Sequence, residues 1–292
     1  MKGSSMRGLY VPQFTAFTAD FSVDFKATKD HGAWLIDNGV SGLVPFGTFG
    51  EGASLSLAEK QRITLDLLEI KKSAALIPTL ICNSLGEILE YLKFAEELPI
   101  DGVMVIPPSY FKPVTDTMLA DFYKRICAAT KHRVIAYNIP STSLKISAEL
   151  AASIPVWGVK DSSGDINSAE NYLSKNVKVL VGSDSLLAQA IKKGANGGIC
   201  GIGNFFPRQM VQVYQLSTQG AFDRAEELIA RIMNAVAPVL KPEFGFVEAI
   251  GSLKSLAARV IPTSLGDMRT PVPTHRPADS EINESLTRIS YL

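Results

Sequence analysis

Short apolar runs alternate with amphipathic stretches along the first two thirds of the chain. Eight runs rich in Val, Ile, Leu and aromatic residues fall at roughly 10–17, 42–46, 76–82, 102–106, 133–138, 156–160, 178–182 and 198–202. They are continuously apolar rather than alternating, the pattern of parallel strands buried on both faces. A stretch with helical periodicity follows each. Ser56-Leu57-Ala58-Glu59 has the form of a capping box, and Ser84 or Glu87 opens a helix that runs to Glu97.

Strand then helix, eight times over, predicts a closed barrel or a doubly wound sheet. No Gly-x-Gly-x-x-Gly follows the first run, which favours the barrel: an α/β fold of the (β/α)8 TIM type. Beyond Pro207 the strand pattern gives out, and helical patterns occupy 209–218, 221–239 and 246–260. The expected organisation is a catalytic barrel over 1–222 and a C-terminal helical extension over 223–292. Segment 269–277 is too rich in proline for a helix, and 279–289 is expected to form one last turn or two.

Composition narrows the partners. Lys plus Arg and Asp plus Glu each total 29, which leaves no net charge to gather nucleic acid or an anionic membrane. Small neutral or anionic metabolites fit better. The balance of 46% hydrophobic and 20% charged residues suits a large buried core. No apolar stretch approaches the ~20 residues that span a bilayer, and residues 1–7 lack the apolar region of a secretory signal. Cys82, Cys127 and Cys200 show no Cys-x-x-Cys spacing and lie in apolar runs, so they are expected as buried free thiols in a reducing cytoplasm. His31, His132 and His275 have no zinc-binding spacing, and a metal-independent chemistry is expected.

In a barrel of this kind the active site gathers at the C-terminal ends of the strands. Polar residues there are Thr48 and Glu51 after the second run, Asn83 after the third, Tyr110 after the fourth and Tyr137 and Asn138 at the fifth. Lys160 and Asp161 follow at the sixth, with Ser183 and Asp184 after the seventh. Lys160 closes Val156-Trp157-Gly158-Val159, so its stem is surrounded by apolar residues, and desolvation favours the neutral, nucleophilic amine. The plainer reading is a strand-end lysine reaching solvent. Tyr137 ends Val134-Ile135-Ala136 on the neighbouring strand, where its phenol can shuttle protons beside the amine or simply pack its ring at the rim.

Gly47-Thr48-Phe49-Gly50-Glu51-Gly52 puts three glycines in one turn, which lets backbone N–H groups approach a carboxylate, or is merely a strand-to-helix turn. No phosphate-binding lysine follows, so it is not a P-loop. The loop from Pro107 to Pro113 exposes Tyr110 and Phe111 and reads as a lid or a subunit contact. Gly182-Ser183-Asp184 offers a hydroxyl and a carboxylate to a polyhydroxylated substrate, or caps the next helix.

Taken together, Gly47-Thr48-Phe49-Gly50-Glu51, Tyr110, Tyr137-Asn138-Ile139-Pro140, Gly158-Val159-Lys160-Asp161 and Gly182-Ser183-Asp184 resemble the dihydrodipicolinate synthase and N-acetylneuraminate lyase family, in order along almost the whole chain. The resemblance implies a class I pyruvate-dependent aldolase, a carbon-carbon lyase with no cofactor beyond a covalent imine on Lys160. It implies a homotetramer whose partners are pyruvate and an aldehyde, alongside the cytoplasmic location and the absence of nucleic-acid or membrane partners expected from cysteine usage and charge. Lys160 matches the imine-forming lysine, Tyr137 the proton-shuttling tyrosine, Thr48 the first hydroxyl of the glycine-rich turn, and Tyr110 the tyrosine lent by a neighbouring subunit. Gly47, Phe49, Thr142, Gly182, Asp184 and Ile199 are the implied substrate-binding positions.

Two departures shape the expectation. Phe49 stands where the family usually has a second Thr or Ser, so backbone donors must hold the pyruvyl carboxylate. Thr142 stands where the synthases carry an arginine that grips the second substrate's carboxylate. A neutral residue there, with Ser141, Ser143 and Asp184 nearby, suits a hydroxyl-rich aldehyde, so an aldolase of 2-keto-3-deoxy sugar acids or 4-hydroxy-2-oxo acids leads. Dihydrodipicolinate synthase or a sugar-acid dehydratase is the alternative, and a non-catalytic metabolite sensor the alternative of another class.

Overall fold

Backbone hydrogen bonding turns the apolar runs into nine short parallel strands. These are β1 (Gly8–Val11), β2 (Gly42–Leu43), β3 (Ala75–Leu76), β4 (Thr79–Leu80), β5 (Val103–Val105), β6 (Val134–Asn138), β7 (Gly158–Asp161), β8 (Val179–Val181) and β9 (Gly197–Ile199). The computed structural model describes residues 6–241, 245–271 and 276–291, with only the backbone at 246. Residues 1–5 and His275, both weighed above, lie outside the described residues.

The third run, expected as one strand, is two, because Pro78 has no N–H to donate and interrupts the ladder. β3 pairs with β2, β4 pairs with β5, and the rest follow in the order β2-β1-β9-β8-β7-β6-β5. Both open edges thus belong to one stretch of chain, and the sheet curls into a closed barrel. The first run also ends early, at Val11. Past it the backbone leaves the sheet for Asn204, whose side chain accepts the Phe14 N–H at 3.0 Å and donates to the Pro12 carbonyl at 3.0 Å.

Helices α1 (Phe25–Asp37), α2 (Leu57–Leu68), α3 (Leu85–Ala95), α4 (Asp116–Ala128), α5 (Ala148–Ser153), α6 (Ile166–Ser174), α7 (Leu187–Lys192) and α8 (Pro207–Thr218) alternate with the strands. The expected capping box forms at α2: Ser56 Oγ accepts the Glu59 N–H and Glu59 returns to the Ser56 N–H. Ser84 caps α3, which stops at Ala95 rather than Glu97. The buried face of α3, Ile88, Tyr91, Leu92 and Ala95, has the spacing that puts one stripe against the sheet. After α8 come α9 (Phe222–Val236), α10 (Phe246–Val260) and α11 (Asp279–Ile289), close to the expected helical stretches.

The core has two layers. Met104, Ile135, Tyr137, Leu180 and Ile199 fill the barrel interior, while Val103, Val105, Val134, Ala136, Val159, Val179 and Val181 pack outward against helices. This period of two decides which strand-end side chains enter the barrel. Of the cysteines only Cys200 is buried; Cys82 and Cys127 pack against the core but are half-buried, because one lies past the end of β4 and the other in the last turn of α4.

Candidate active site

On β7, Lys160 lies opposite Tyr137 of β6 and Leu180 of β8. Both partners belong to the interior layer, so the alternation that turns Val159 toward the helices turns Lys160 into the barrel. Lys160 is 4% exposed, and its Nζ stands 4.2 Å from the centroid of the Tyr137 ring. A lysine reaching solvent is thereby set aside.

Tyr137 is buried, and its phenol meets the Thr48 hydroxyl at 3.2 Å. Burial pushes the phenol up. The Lys160 charge and hydrogen bonds with Thr48, Lys160 and Ser162 outweigh that and hold it below its ordinary value. Sequence reading had not placed Ser162 in the site. Its position directly after Lys160-Asp161 is the only sequence signal for it; in the structure its N–H is bonded to the Asn138 carbonyl at 2.8 Å.

The Thr48 turn is tightly folded. Phe46 and Glu51 both take left-handed backbone angles (φ 64° and 52°), and Glu51 N–H closes on the Thr48 carbonyl at 3.1 Å. At Gly52 a Cβ would lie 1.7 Å from the Phe46 carbonyl oxygen, so this glycine is required by close approach. Gly47 is under no such pressure. Phe49 packs on Phe14 with centroids 5.6 Å apart, and its ring occupies the space a side chain at Gly201 would take. Any contact of residue 49 with a carboxylate therefore falls to its backbone.

Other strand-end residues divide into those that build and those that face the opening. Asn138 donates to Asp161 at 2.7 Å and accepts the Ile146 N–H, while Asp161 also receives the Ser163 N–H and hydroxyl; both are structural. Asn83 accepts the N–H groups of Ser109 and Tyr110 and pins that loop. Gly182 lets its strand approach Ser162, whose Oγ would be 2.0 Å from an added Cβ. Ile199 is fully buried in the interior layer.

Neither Ser183 nor Asp184 caps a helix through its side chain. The half-buried Asp184 instead turns its carboxylate inward to accept the Ile202 N–H at 2.9 Å, a bond across to the end of the next strand. Burial pushes its carboxyl up to about 6, against the pull of the surrounding backbone N–H groups and of Lys160.

Tyr110 is not brought to Lys160. It is 81% exposed and stacks edge-on against Phe111. Thr142 is exposed on the rim, and Ser143 is turned back onto the Ile139 carbonyl at 3.2 Å and offers nothing to a ligand. A cavity of about 1220 Å³ has Thr48, Asn83, Ile106 and Thr142 in its wall. Neither Lys160 nor Tyr137 lines it, although the Tyr137 phenol meets Thr48 in its wall, so the register of β6 and β7 rather than this cavity locates the amine and the phenol. Among the described residues no group of three or more His, Cys, Asp or Glu side chains could hold a metal ion, and no helix is long and apolar enough to cross a membrane.

Fold and site together define an α/β-barrel protein with an amine and a phenol in contact where its strands end. The chain belongs to the dihydrodipicolinate synthetase family, whose model matches residues 5–272, and members of this family are lyases. It is 32% identical over 267 residues to the 4-hydroxy-tetrahydrodipicolinate synthase of Methanosarcina mazei, covering 88% of this chain and 89% of that one. With the synthase of the same name from Methanococcus maripaludis the identity is 29% over 275 residues, 91% of this chain and 92% of the relative.

Among solved structures, a variant of the Sulfolobus solfataricus 2-keto-3-deoxygluconate aldolase superposes with a TM-score of 0.87 at 25% identity, over 97% of this chain and 95% of that one. A catalytic lysine mutant of the Ruminococcus gnavus sialic acid aldolase gives a TM-score of 0.90 at 18% identity, over 100% and 98%, a likeness of fold alone.

Proposed function

We propose that this lyase cleaves or forms a 2-oxo acid, to or from pyruvate and an aldehyde, through an imine on Lys160. The observation that carries the reading is the buried Lys160 amine against the Tyr137 phenol, itself held by Thr48. In this reading the Lys160 amine attacks the keto carbon, and the carbinolamine loses water with Tyr137 moving the proton. In the cleavage direction the phenolate takes the proton of the C4 hydroxyl, the C3–C4 bond breaks and its electron pair enters the iminium. The enamine left behind is protonated at C3 and hydrolysed to pyruvate. A phenol held below its ordinary value is suited to both transfers.

The pyruvyl carboxylate would lie on the Gly47–Gly50 turn, taking backbone amides at Thr48 and Phe49 and the Thr48 hydroxyl. Asp184 would accept hydroxyls of the aldehyde part, with Gly182 and Ile199 shaping the wall. No metal or other cofactor enters these steps. The barrel over 1–222 would carry the chemistry and the helices from 223 on would form an extension. A cytoplasmic homotetramer would bring Tyr110 of a neighbouring subunit to the site, which accounts for its exposure in a single chain.

For the aldehyde, the rim favours a hydroxylated partner: Thr142 is neutral and exposed, and Asp184 offers an acceptor. We therefore place 2-keto-3-deoxy sugar acids and 4-hydroxy-2-oxo acids first. The named relatives at 29% and 32% identity favour the second reading, condensation of pyruvate with an amino-aldehyde. Assaying pyruvate release from 2-keto-3-deoxy sugar acids beside that condensation separates the two. Release without condensation supports the sugar-acid reading, and condensation alone overturns it.

A further inference from the structure

We propose that Glu51 is a positioning residue for the Lys160–Tyr137 site, clamped by α10 and the segment after it so that the helices beyond the barrel fix where the Thr48 hydroxyl stands. Its consequence for turnover rests on the proposed function, whereas the clamp itself can be read on Tyr137 without substrate.

Both oxygens of the Glu51 carboxylate are taken by groups more than two hundred residues away: Lys254 Nζ at 2.8 Å and the Arg269 backbone N–H at 2.7 Å. The ion pair is sealed, with the Glu51 side chain 0% and the Lys254 side chain 2% exposed. Lys254 also donates to the Asp267 carbonyl at 3.1 Å and lies over the Phe17 ring. The Arg269 guanidinium bonds the Ser54 and Phe21 carbonyls and both oxygens of Glu59, so it grips the far side of the same loop.

Glu51 needs such a grip. It holds a left-handed backbone angle, which persists in a non-glycine residue only where the surroundings impose it. From that conformation its N–H reaches the Thr48 carbonyl, and Thr48 in turn reaches the Tyr137 phenol. The pathway from α10 to the phenol is thus Lys254, Glu51, Thr48, Tyr137, linked by hydrogen bonds of 2.8, 3.1 and 3.2 Å. A buried pair of this kind seldom adds much stability over a neutral pair of the same shape, but removing one partner strands the other. The clamp therefore has a role in geometry that can be separated from its role in stability.

The test uses Glu51→Gln, Lys254→Met and the double variant, in the full chain. Three readouts are taken: melting temperature, kcat/KM for the cleavage reaction, and the titration of the Tyr137 phenol by ring-carbon NMR, assigned with Tyr137→Phe. In Glu51→Gln the Thr48 contact loosens, Tyr137 titrates at higher pH than in wild type, and kcat/KM falls roughly tenfold. In the double variant no charge is stranded, so the melting temperature recovers while the Tyr137 titration and kcat/KM stay displaced.

Wild-type Tyr137 titration and kcat/KM in either folded variant would overturn the proposal, as would recovery of all three readouts together in the double variant. Should Glu51→Gln fail to fold, the double variant decides. A wild-type protein that lacks lyase turnover would count against the proposed function, and the Tyr137 titration would still decide the clamp.

Discussion

On β6 and β7 the polar residues at the barrel mouth are placed by strand register, whereas on the loops after β5 and β6 they are placed by the loops' own bonds and left facing water. Tyr137 and Lys160 pair across the strands and are buried; Tyr110 and Thr142 stand exposed. The difference teaches where precision is needed. In the proposed mechanism the groups that exchange protons are the ones held by rigid elements, and the groups that would meet a variable partner sit on replaceable loops.

The comparison breaks most sharply at Tyr137. Tyr137→Phe removes the proton shuttle and leaves the amine, so kcat falls on the order of 10²- to 10⁴-fold while pyruvate can still be trapped on Lys160. Steady-state kinetics beside trapping checks this; loss of less than tenfold would return Tyr137 to a packing role.

Burial in the helix layer that backs the strands has its own cost in acid. His31, fully buried behind the barrel, bonds the Asn204 carbonyl through Nε2, and burial pushes its ring down to about 4 from an ordinary 6.5. The fold favours the neutral ring, so the unfolded chain binds the extra proton between those values. Stability is full above pH 6.5 and falls by roughly 3 kcal/mol as pH drops to about 4. Urea unfolding at pH 7 and pH 4.5, with His31→Gln as the reference that lacks this slope, measures it.

Asp184 stands between the two regimes, half-buried and tied to Ile202. If its carboxylate receives substrate hydroxyls, activity falls as the pH drops through about 6 and the group is protonated. Asp184→Asn then flattens that limb and lowers kcat/KM for a hydroxylated substrate by about tenfold. A pH profile unchanged by the substitution would leave Asp184 a purely structural acceptor.

The smallest effect belongs to the loop side. Asn83→Ala frees the N–H groups of Ser109 and Tyr110 at a cost of about 1 kcal/mol, with kcat/KM falling only where Tyr110 serves the site. Thermal unfolding and kinetics of the same variant separate the two contributions.

How much of this was legible beforehand follows from the range of each interaction. The alternating runs and helices, the capping box at Ser56 and the pairing of Tyr137 with Lys160 depend on local pattern or adjacent strands, and all were readable. The break at Pro78 was present in the sequence but was overridden by the apolar run around it. The bond between Glu51 and Lys254 was not readable, because residues 203 apart leave no spacing signal. Arg269, expected only as part of a proline-rich tail, proved to bind Glu51 and Glu59 for the same reason. Capping by Ser183 or Asp184 was the local alternative, and the long-range bond to Ile202 displaced it.

The central claim, an imine on Lys160, is tested most directly by mass spectrometry of the intact protein after borohydride reduction with pyruvate, comparing wild type with Lys160→Ala. A reduced pyruvate adduct in wild type and none in the variant is the predicted result. An equal adduct in both proteins would contradict it by placing the imine on another amine, and no adduct in either would contradict it and favour a barrel that binds metabolites without turning them over.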